Sequence, residues 1–206
     1  MHEIFTGTTV IPVLTIEKLD DAIPLARALV KGGLRCIEVT LRTPVASEAI
    51  AAITSQVSGA IVGAGTILRP ADVAMAQAVG AKFLMSPGLT PDLAAAGLAS
   101  DVPFIPGVAT PSEIMVARGL GISFLKFFPA EAFGGVTALR DLAPAFKGVA
   151  FCPSSGVTEG NAQDYLSLPN VPMVGGSWMA LPEMIAAGDW RGISEAAFRA
   201  SALKKS

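Results

Sequence analysis

The chain has 206 residues and is 51% hydrophobic but only 16% charged, which suits one domain with a large apolar core. Its 15 Lys and Arg residues are outnumbered by 17 Asp and Glu residues, so it lacks the basic excess that is typical of nucleic-acid-binding proteins. The N-terminal residues lack a basic stretch followed by an apolar one, and no run approaches the ~18 apolar residues of a membrane span. We therefore expect a cytoplasmic protein with neither nucleic acid nor a membrane as partner.

Short apolar runs alternate along the chain with Ala-rich amphipathic stretches. Continuous apolar runs are typical of buried parallel strands, and the stretches between them have the length and periodicity of helices. The predicted strands are 10–16, 36–42, 60–66, 82–88, 103–109, 123–129, 149–156 and 171–177. The predicted helices are 19–31, 45–56, 71–79, 91–99, 111–119, 136–146 and 161–166, followed by a tail near 181–187 and 193–204. Thr90-Pro91 and Thr110-Pro111 are expected to begin two helices, and Asn161 to cap a later one.

Eight βα units in series predict an α/β fold, a single closed (β/α)8 TIM barrel that forms one domain over residues 1–206. A doubly wound open sheet is the alternative, but it usually has a glycine-rich nucleotide-binding loop after its first strand. The first strand here runs into Thr15-Ile16-Glu17-Lys18, which contains no such loop.

The second predicted strand has charged residues on one face. With a period of two, Glu38, Thr40 and Arg42 share that face, and the apolar residues between them share the other. We expect the polar face to line the interior of the barrel, where unpaired charges are costly.

Lys126 lies within the sixth strand, in the apolar run Phe124-Leu125-Lys126-Phe127-Phe128-Pro129. Burial among such neighbours disfavours an ammonium group, and an uncharged amine can attack a ketone to form a Schiff base. The alternatives are a lysine that extends along apolar surface to solvent, or one half of a structural ion pair with Glu38.

Glycines and hydroxyl residues follow several strands. Glycine lets the backbone approach a ligand closely, and phosphate usually binds after strands seven and eight of a barrel. A single glycine pair is more simply a turn, but two pairs at these strands predict a phosphorylated substrate. The segments are 63–66, 86–88, 106–107, 154–156 and 175–177.

Few side chains are available for metal or triad chemistry. Cys36 and Cys152 lie in predicted strands and are expected to be buried thiols, and the one histidine is His2. A metal cluster, a Ser-His-Asp triad or a Cys-His pair is therefore hard to build. We expect neither a metal ion nor a cofactor.

Six segments resemble the family of 2-keto-3-deoxy-6-phosphogluconate (KDPG) aldolases of the Entner–Doudoroff route, which also includes 4-hydroxy-2-oxoglutarate (KHG) aldolases. The resemblance extends over nearly the whole chain, and the two charged segments are its most specific part. The segments are Glu38-Val39-Thr40-Leu41-Arg42-Thr43, Gly63-Ala64-Gly65-Thr66, Ser86-Pro87-Gly88-Leu89-Thr90, Lys126-Phe127-Phe128-Pro129-Ala130-Glu131, Phe151-Cys152-Pro153 and Gly175-Gly176-Ser177-Trp178.

This resemblance implies a metal-free class I aldolase on a (β/α)8 barrel, commonly a homotrimer. It implies that Lys126 forms the Schiff base and that Glu38 is the general acid and base. Arg42, assisted by Thr66, would hold the pyruvyl carboxylate. The resemblance further implies that Pro87 and Phe128 shape the pyruvyl pocket and that Gly175, Gly176 and Ser177 form the phosphate end.

One departure from the family lies after strand seven, where Pro153-Ser154-Ser155-Gly156 replaces the usual Pro-Thr-Gly-Gly. Ser154 keeps the hydroxyl, whereas Ser155 adds a Cβ where glycine allows close backbone approach. Ser154, Ser155 and Gly156 are expected at the phosphate end, so this change bears on phosphate affinity and on the choice between epimeric substrates.

The predicted reaction is the cleavage of KDPG to pyruvate and D-glyceraldehyde 3-phosphate. Within the same class, KHG or 2-keto-3-deoxy-6-phosphogalactonate is the alternative substrate. A non-covalent phosphate-binding isomerase or decarboxylase and a non-catalytic phosphosugar-binding barrel are the more distant alternatives.

Overall fold

A computed structural model describes residues 3–205, so His2 lies outside the described residues. Parallel strands alternate with helices over this range. The strands are β1 (Val10–Leu14), β2 (Cys36–Thr40), β3 (Ile61–Gly65), β4 (Leu84–Met85), β5 (Phe104–Ile105), β6 (Gly107–Val108), β7 (Phe124–Phe127), β8 (Ala150–Pro153) and β9 (Val174–Gly176). The helices are α1 (Leu19–Lys31), α2 (Ala46–Gln56), α3 (Pro70–Ala78), α4 (Pro91–Leu98), α5 (Pro111–Gly119), α6 (Gly135–Leu142), α7 (Ala162–Leu166), α8 (Pro182–Ala186) and α9 (Trp190–Ser201). Two 3-10 helices, Glu3–Phe5 and Glu131–Phe133, complete the set.

Each of these strands falls within a predicted range, but prolines shorten or divide some elements. The predicted strand 103–109 is split by Pro106 into β5 and β6, because proline has no N–H for the next strand. The predicted helix 136–146 was too long: α6 ends at Leu142, two residues before Pro144.

The strands form two parallel sheets, with the orders β5-β4-β3-β2-β1-β9 and β6-β7-β8. Because β1 pairs with β9, the first and last strands are neighbours, as in a curled sheet and unlike a doubly wound one. The two sheets follow one another at Pro106, and a single bridge between Ser154 and Gly175 joins their other edges. The prediction of a closed barrel is therefore met only in part, since the ladder is not continuous. Both gaps lie at prolines, Pro106 and Pro153, which cannot donate to a neighbouring strand.

Apolar side chains fill the interior at the N-terminal ends of the strands. Phe5 meets Phe83 and Phe124 edge to face, with ring centroids 5.1 and 6.0 Å apart, and such pairs contribute ~0.5–1.5 kcal/mol each. The cluster leaves room for polar side chains only nearer the C-terminal ends. Its buried members are Phe5, Ile11, Cys36, Phe83, Met85, Ile105, Phe124, Cys152 and Met173.

A second, larger apolar cluster lies between the strands and the helices. Ile37 and Val39 of β2 and Leu125 and Phe127 of β7 belong to it, so the residues that alternate with them point away from this layer. No helix within residues 3–205 is long and apolar enough to cross a membrane.

Two of the three predicted helix starts are capped as expected, and one is not. Thr110 accepts a hydrogen bond from the Glu113 N–H while the Glu113 carboxylate accepts from the Thr110 N–H, and Thr90 caps α4 through the Leu93 N–H. Asn161 stands at the N-cap position of α7, but its side chain makes no capping bond to that helix. The prediction for Asn161 was wrong because Oδ1, the atom that would cap the helix, accepts a hydrogen bond from the Thr158 N–H instead.

Candidate active site

Lys126 and Glu38 meet inside the curled sheet. Lys126 Nζ lies 2.8 Å from Glu38 Oε1 and 3.1 Å from Oε2, and the two side chains are 6% and 1% exposed. Strands β7 and β2 supply them, each at an inward-facing position above the apolar cluster. This is the ion pair that the sequence left open as an alternative. The same contact lets a proton pass from the ammonium to the carboxylate, which leaves an amine able to attack a carbonyl.

Gly65 makes room for the Glu38 carboxylate. It lies beside β2, in register with Thr40, and a Cβ at Gly65 would lie 2.1 Å from Glu38 Oε1 and 2.7 Å from Cδ. Because no real Cβ contact is that short, any side chain at position 65 would push Glu38 away from Lys126. The position of the carboxylate therefore depends on this glycine.

Phe128 lies beside the amine, and Pro87 packs against the strand next to Lys126. The Phe128 ring centroid is 5.6 Å from Lys126 Nζ, within the range of a cation–π contact. Gly107 pairs with Lys126 on β7, and its Cα packs against the Pro87 carbonyl, where a Cβ would approach to 2.2 Å. The phenyl ring of Phe128 therefore gives the amine an apolar neighbour.

Cys152 is the strand neighbour of Lys126 on β8 and is fully buried. Burial raises the pKa of the Cys152 thiol to about 12, and burial likewise raises the pKa of Cys36. Since the thiolate is the reactive form, neither cysteine is a nucleophile at neutral pH. Within residues 3–205, no three His, Cys, Asp or Glu side chains are grouped as a metal site.

Arg42 lies just beyond β2 and is exposed. It lines a cleft of about 290 Å³ together with Thr15 and Ser177, so it faces residues that follow β1 and β9. Thr40, two residues earlier at the end of β2, is buried, and its hydroxyl donates to the Leu14 carbonyl at 2.9 Å. Among the described residues, Arg42 makes no ion pair, and its guanidinium is available to an anionic ligand.

Thr66 is not brought into that cleft. It lines a separate groove of about 490 Å³ with Thr43 and Leu68, at the outer side of the β2 and β3 ends. Its φ of 59° places it in the left-handed region, which is unusual for a β-branched residue. No direct side-chain contact between Thr66 and Arg42 therefore supports the expected role of Thr66 in binding the pyruvyl carboxylate.

The residues predicted at the phosphate end lie together. Ser154 bridges to Gly175, and a Cβ on Gly175 would lie 2.2 Å from Ser154 Oγ, so this hydroxyl packs directly on the Gly175 backbone. Ser155 and Gly156 are exposed and both adopt left-handed φ values, 81° and 79°. Gly176 ends β9, and Ser177 follows it at the cleft that contains Arg42. One end of the curled sheet thus holds Arg42, the Lys126–Glu38 pair and the 154–156 loop, in which two successive residues have positive φ.

Sequence reasoning did not single out the position of Gly65 against Glu38 or the contacts that Glu131 makes with the 154–156 loop. The first depends on the register between β2 and β3, and the second on the close approach of the segments after β7 and β8. The sequence pattern identifies Gly65 only as part of a strand end.

Comparison with known proteins places these residues in a described family. A family model described as KDPG and KHG aldolase matches residues 1–196. The chain is 46% identical over 201 residues to the 2-dehydro-3-deoxy-phosphogluconate aldolase of Pseudoalteromonas atlantica, covering 98% of this chain and 94% of that protein. It is 47% identical over 196 residues to the KHG/KDPG aldolase of Escherichia coli K12, covering 95% of this chain and 92% of that protein.

A solved structure is also similar. The KDPG aldolase of Legionella pneumophila, with pyruvate captured as a covalent carbinolamine intermediate, superposes with a TM-score of 0.94 at 44% identity. The superposition covers 97% of each chain.

Proposed function

The chain belongs to the KDPG and KHG aldolase family, and we propose that it cleaves KDPG to pyruvate and D-glyceraldehyde 3-phosphate through a Schiff base on Lys126. It is an aldolase, a carbon–carbon lyase. The observation that supports the assignment of the residue is the buried contact of 2.8 Å between Lys126 Nζ and Glu38 Oε1. The captured carbinolamine of the Legionella relative supports a covalent route with pyruvate.

In the first half of the proposed mechanism, the Lys126 ammonium gives a proton to Glu38 as substrate enters. The uncharged amine then bonds to the C2 carbonyl carbon and forms a carbinolamine. The protonated Glu38 returns its proton to the C2 oxygen, which leaves as water, and a protonated imine remains. The contact between the two side chains makes these transfers short.

In the second half, the imine accepts electrons. Glu38 takes the proton of the C4 hydroxyl, the C3–C4 bond breaks, and its electron pair moves into the imine to give an enamine. The C4 carbon leaves as the aldehyde of glyceraldehyde 3-phosphate. Glu38 then protonates C3, and water hydrolyses the imine to release pyruvate and restore the lysine.

Arg42 is proposed to bind the substrate carboxylate, because its guanidinium lines the cleft and has no ion-pair partner in the described chain. Arg42→Lys replaces a two-pronged donor by a point charge, so we expect the pyruvate concentration for half-maximal borohydride trapping to rise about tenfold. Arg27→Lys, on the exposed face of α1, is the matched control and should leave it unchanged. If Arg42→Lys traps pyruvate at the wild-type concentration, the carboxylate is bound elsewhere.

Gly65→Ala tests whether the position of Glu38 matters. The added methyl would overlap the Glu38 carboxylate and separate it from Lys126, and misplacement of a catalytic group by ~1 Å can cost about 10²-fold in rate. We expect that loss in kcat for aldol cleavage, with a normal circular dichroism spectrum. Gly119→Ala is the control, since Gly119 is exposed at the end of α5 and a Cβ there meets nothing within 4 Å. Wild-type kcat in Gly65→Ala would show that the carboxylate position is not needed.

The phosphorylated substrate is proposed because Ser154, Ser155, Gly156, Gly175, Gly176 and Ser177 lie together. KHG and 2-keto-3-deoxy-6-phosphogalactonate remain the alternatives within the class. Comparison of kcat/KM for KDPG, its galactonate epimer and KHG distinguishes them, and we expect KDPG to be preferred. A non-covalent isomerase or decarboxylase would give no borohydride-stable adduct, and a non-catalytic binding protein would release no pyruvate.

We further propose that the two sheets act as one (β/α)8 barrel domain and that the enzyme is a cytoplasmic homotrimer. Exposed apolar side chains on α5 support a subunit contact: the neighbours Met115 and Val116 are 65% and 57% exposed. Contiguous apolar side chains exposed on a monomer are typical of a surface that is covered by another chain.

A further inference from the structure

Glu131 connects the catalytic strand to the loop after β8. It begins the 3-10 helix that follows β7, five residues after Lys126. Its N–H donates to the Ser155 carbonyl at 3.2 Å, and the N–H of the preceding Ala130 donates to the Ser154 carbonyl at 2.9 Å. The backbone after Lys126 is therefore hydrogen-bonded to the 154–156 loop.

The Glu131 side chain holds the same loop from a second direction. Its Oε1 accepts hydrogen bonds from the Tyr165 hydroxyl and from Asn161 Nδ2. Asn161 Nδ2 also donates to the Gly156 carbonyl at 3.1 Å, so the Asn161 amide bridges the Glu131 carboxylate and the loop. Burial and the bond to Glu131 raise the pKa of Tyr165, so its hydroxyl stays protonated as a donor.

Gly156 packs directly on the Glu131 side chain. A Cβ at Gly156 would lie 2.4 Å from Glu131 Cγ and 2.6 Å from Glu131 Cβ. Position 156 thus requires glycine both for its φ of 79° and for space. The Glu131 methylene groups occupy the side of the loop where a side chain would otherwise lie.

The loop needs such support because Ser155 is a non-glycine residue at a φ of 81°. L-residues disfavour this region, so the conformation persists only where surrounding contacts fix it. In the part of the chain that the structure describes, the N–H groups of Ser155 and Gly156 donate to no protein acceptor. Two such donors on a fixed turn, bridged to Gly175 through Ser154, can bind an anion.

We propose that Glu131, acting with Tyr165 and Asn161, is a positioning residue that holds the Ser155–Gly156 turn in the conformation that binds the substrate phosphate. This inference rests on the proposed function, since it takes the 154–156 loop as the phosphate end. Glu131 touches neither the amine nor the Glu38 carboxylate, so its effect falls on phosphate affinity and not on imine chemistry.

The test separates phosphate binding from the chemistry at Lys126. In Glu131→Ala, we expect the Kd for inorganic phosphate, measured by calorimetry, and the KM for KDPG to rise about tenfold, the size expected when one or two supporting hydrogen bonds are lost. The kcat and the borohydride capture of pyruvate should stay within about twofold of wild type. Glu131→Gln keeps the methylene groups and an acceptor oxygen, so it should recover most of the affinity. Glu48→Ala, an exposed glutamate of α2, is the matched control.

Tyr165→Phe gives an independent measure, because it removes one donor to Glu131 and keeps the buried ring. It should raise the phosphate Kd in the same direction by a smaller factor. The inference would be overturned if both variants bound phosphate as tightly as the wild type, or if the wild type bound no phosphate. It would also be overturned if Glu131→Ala lost pyruvate capture by the same factor as phosphate affinity. Failure of the wild type to capture pyruvate would instead overturn the proposed function, while the phosphate titrations would still decide the role of Glu131.

Discussion

Lys126→Ala is expected to lower kcat for KDPG cleavage by at least about 10⁴-fold and to eliminate the borohydride-stable pyruvate adduct. Without the amine there is no imine, and the electrons of the C3–C4 bond have no acceptor. Losses of this size follow removal of the nucleophile in enzymes with covalent intermediates. The measurement is pyruvate release coupled to a dehydrogenase, together with intact-protein mass after reduction.

Controls for Lys126→Ala must separate chemistry from folding. The substitution leaves the Glu38 carboxylate buried without a partner, which costs ~3–5 kcal/mol in other proteins. The double variant Lys126→Ala/Glu38→Gln removes that unpaired charge and should fold while remaining inactive. Lys82→Ala, an exposed lysine before β4, should keep both the adduct and the activity. An adduct that persists in Lys126→Ala would assign the Schiff base to another residue.

Glu38→Gln is expected to keep the pyruvate adduct but to lose about 10²–10⁴-fold in kcat, the usual contribution of a general acid or base. The amide nearly matches the carboxylate in shape and fits the space beside Gly65, but it carries no titratable proton. The Lys126 amine is still present, so imine formation should continue, but more slowly, because Glu38 also protonates the leaving C2 oxygen. Every step that moves a proton at the C4 hydroxyl or at C3 should slow.

Proton exchange at pyruvate isolates the role of Glu38 from the cleavage step. In deuterated water the wild type should exchange the methyl hydrogens of pyruvate through the enamine, and proton NMR follows their loss. Glu38→Gln should exchange them slower by the same factor as its kcat. Exchange and cleavage at wild-type rates in Glu38→Gln would show that a different group moves these protons.

The meeting of Glu38 and Lys126 follows from sequence periodicity, because alternation in β2 and β7 assigns both residues to the inward face. Their short separation does not follow from periodicity alone. It depends on which strands curl toward each other and on the space that Gly65 leaves for the carboxylate. Contacts between strands that are distant in sequence have no local pattern.

Other features depended on neighbours that a sequence pattern does not reveal. Pro106 could be identified, but its division of one strand into two is a property of the ladder on either side. The sequence predicts that Asn161 caps α7, yet its Oδ1 accepts from the Thr158 N–H and its Nδ2 donates to the Glu131 carboxylate and the Gly156 carbonyl. The left-handed φ of Ser155 also contradicts the local preference of serine and reflects contacts made from the segment after β7.

Mass spectrometry tests most directly whether Lys126 forms the Schiff base. The wild-type enzyme is reduced with borohydride in the presence of pyruvate and then digested. We predict one reduced pyruvyl adduct per chain, located on the peptide that contains Lys126. An adduct on any other lysine, or efficient cleavage of KDPG with no adduct at all, would contradict a Schiff-base mechanism at this residue.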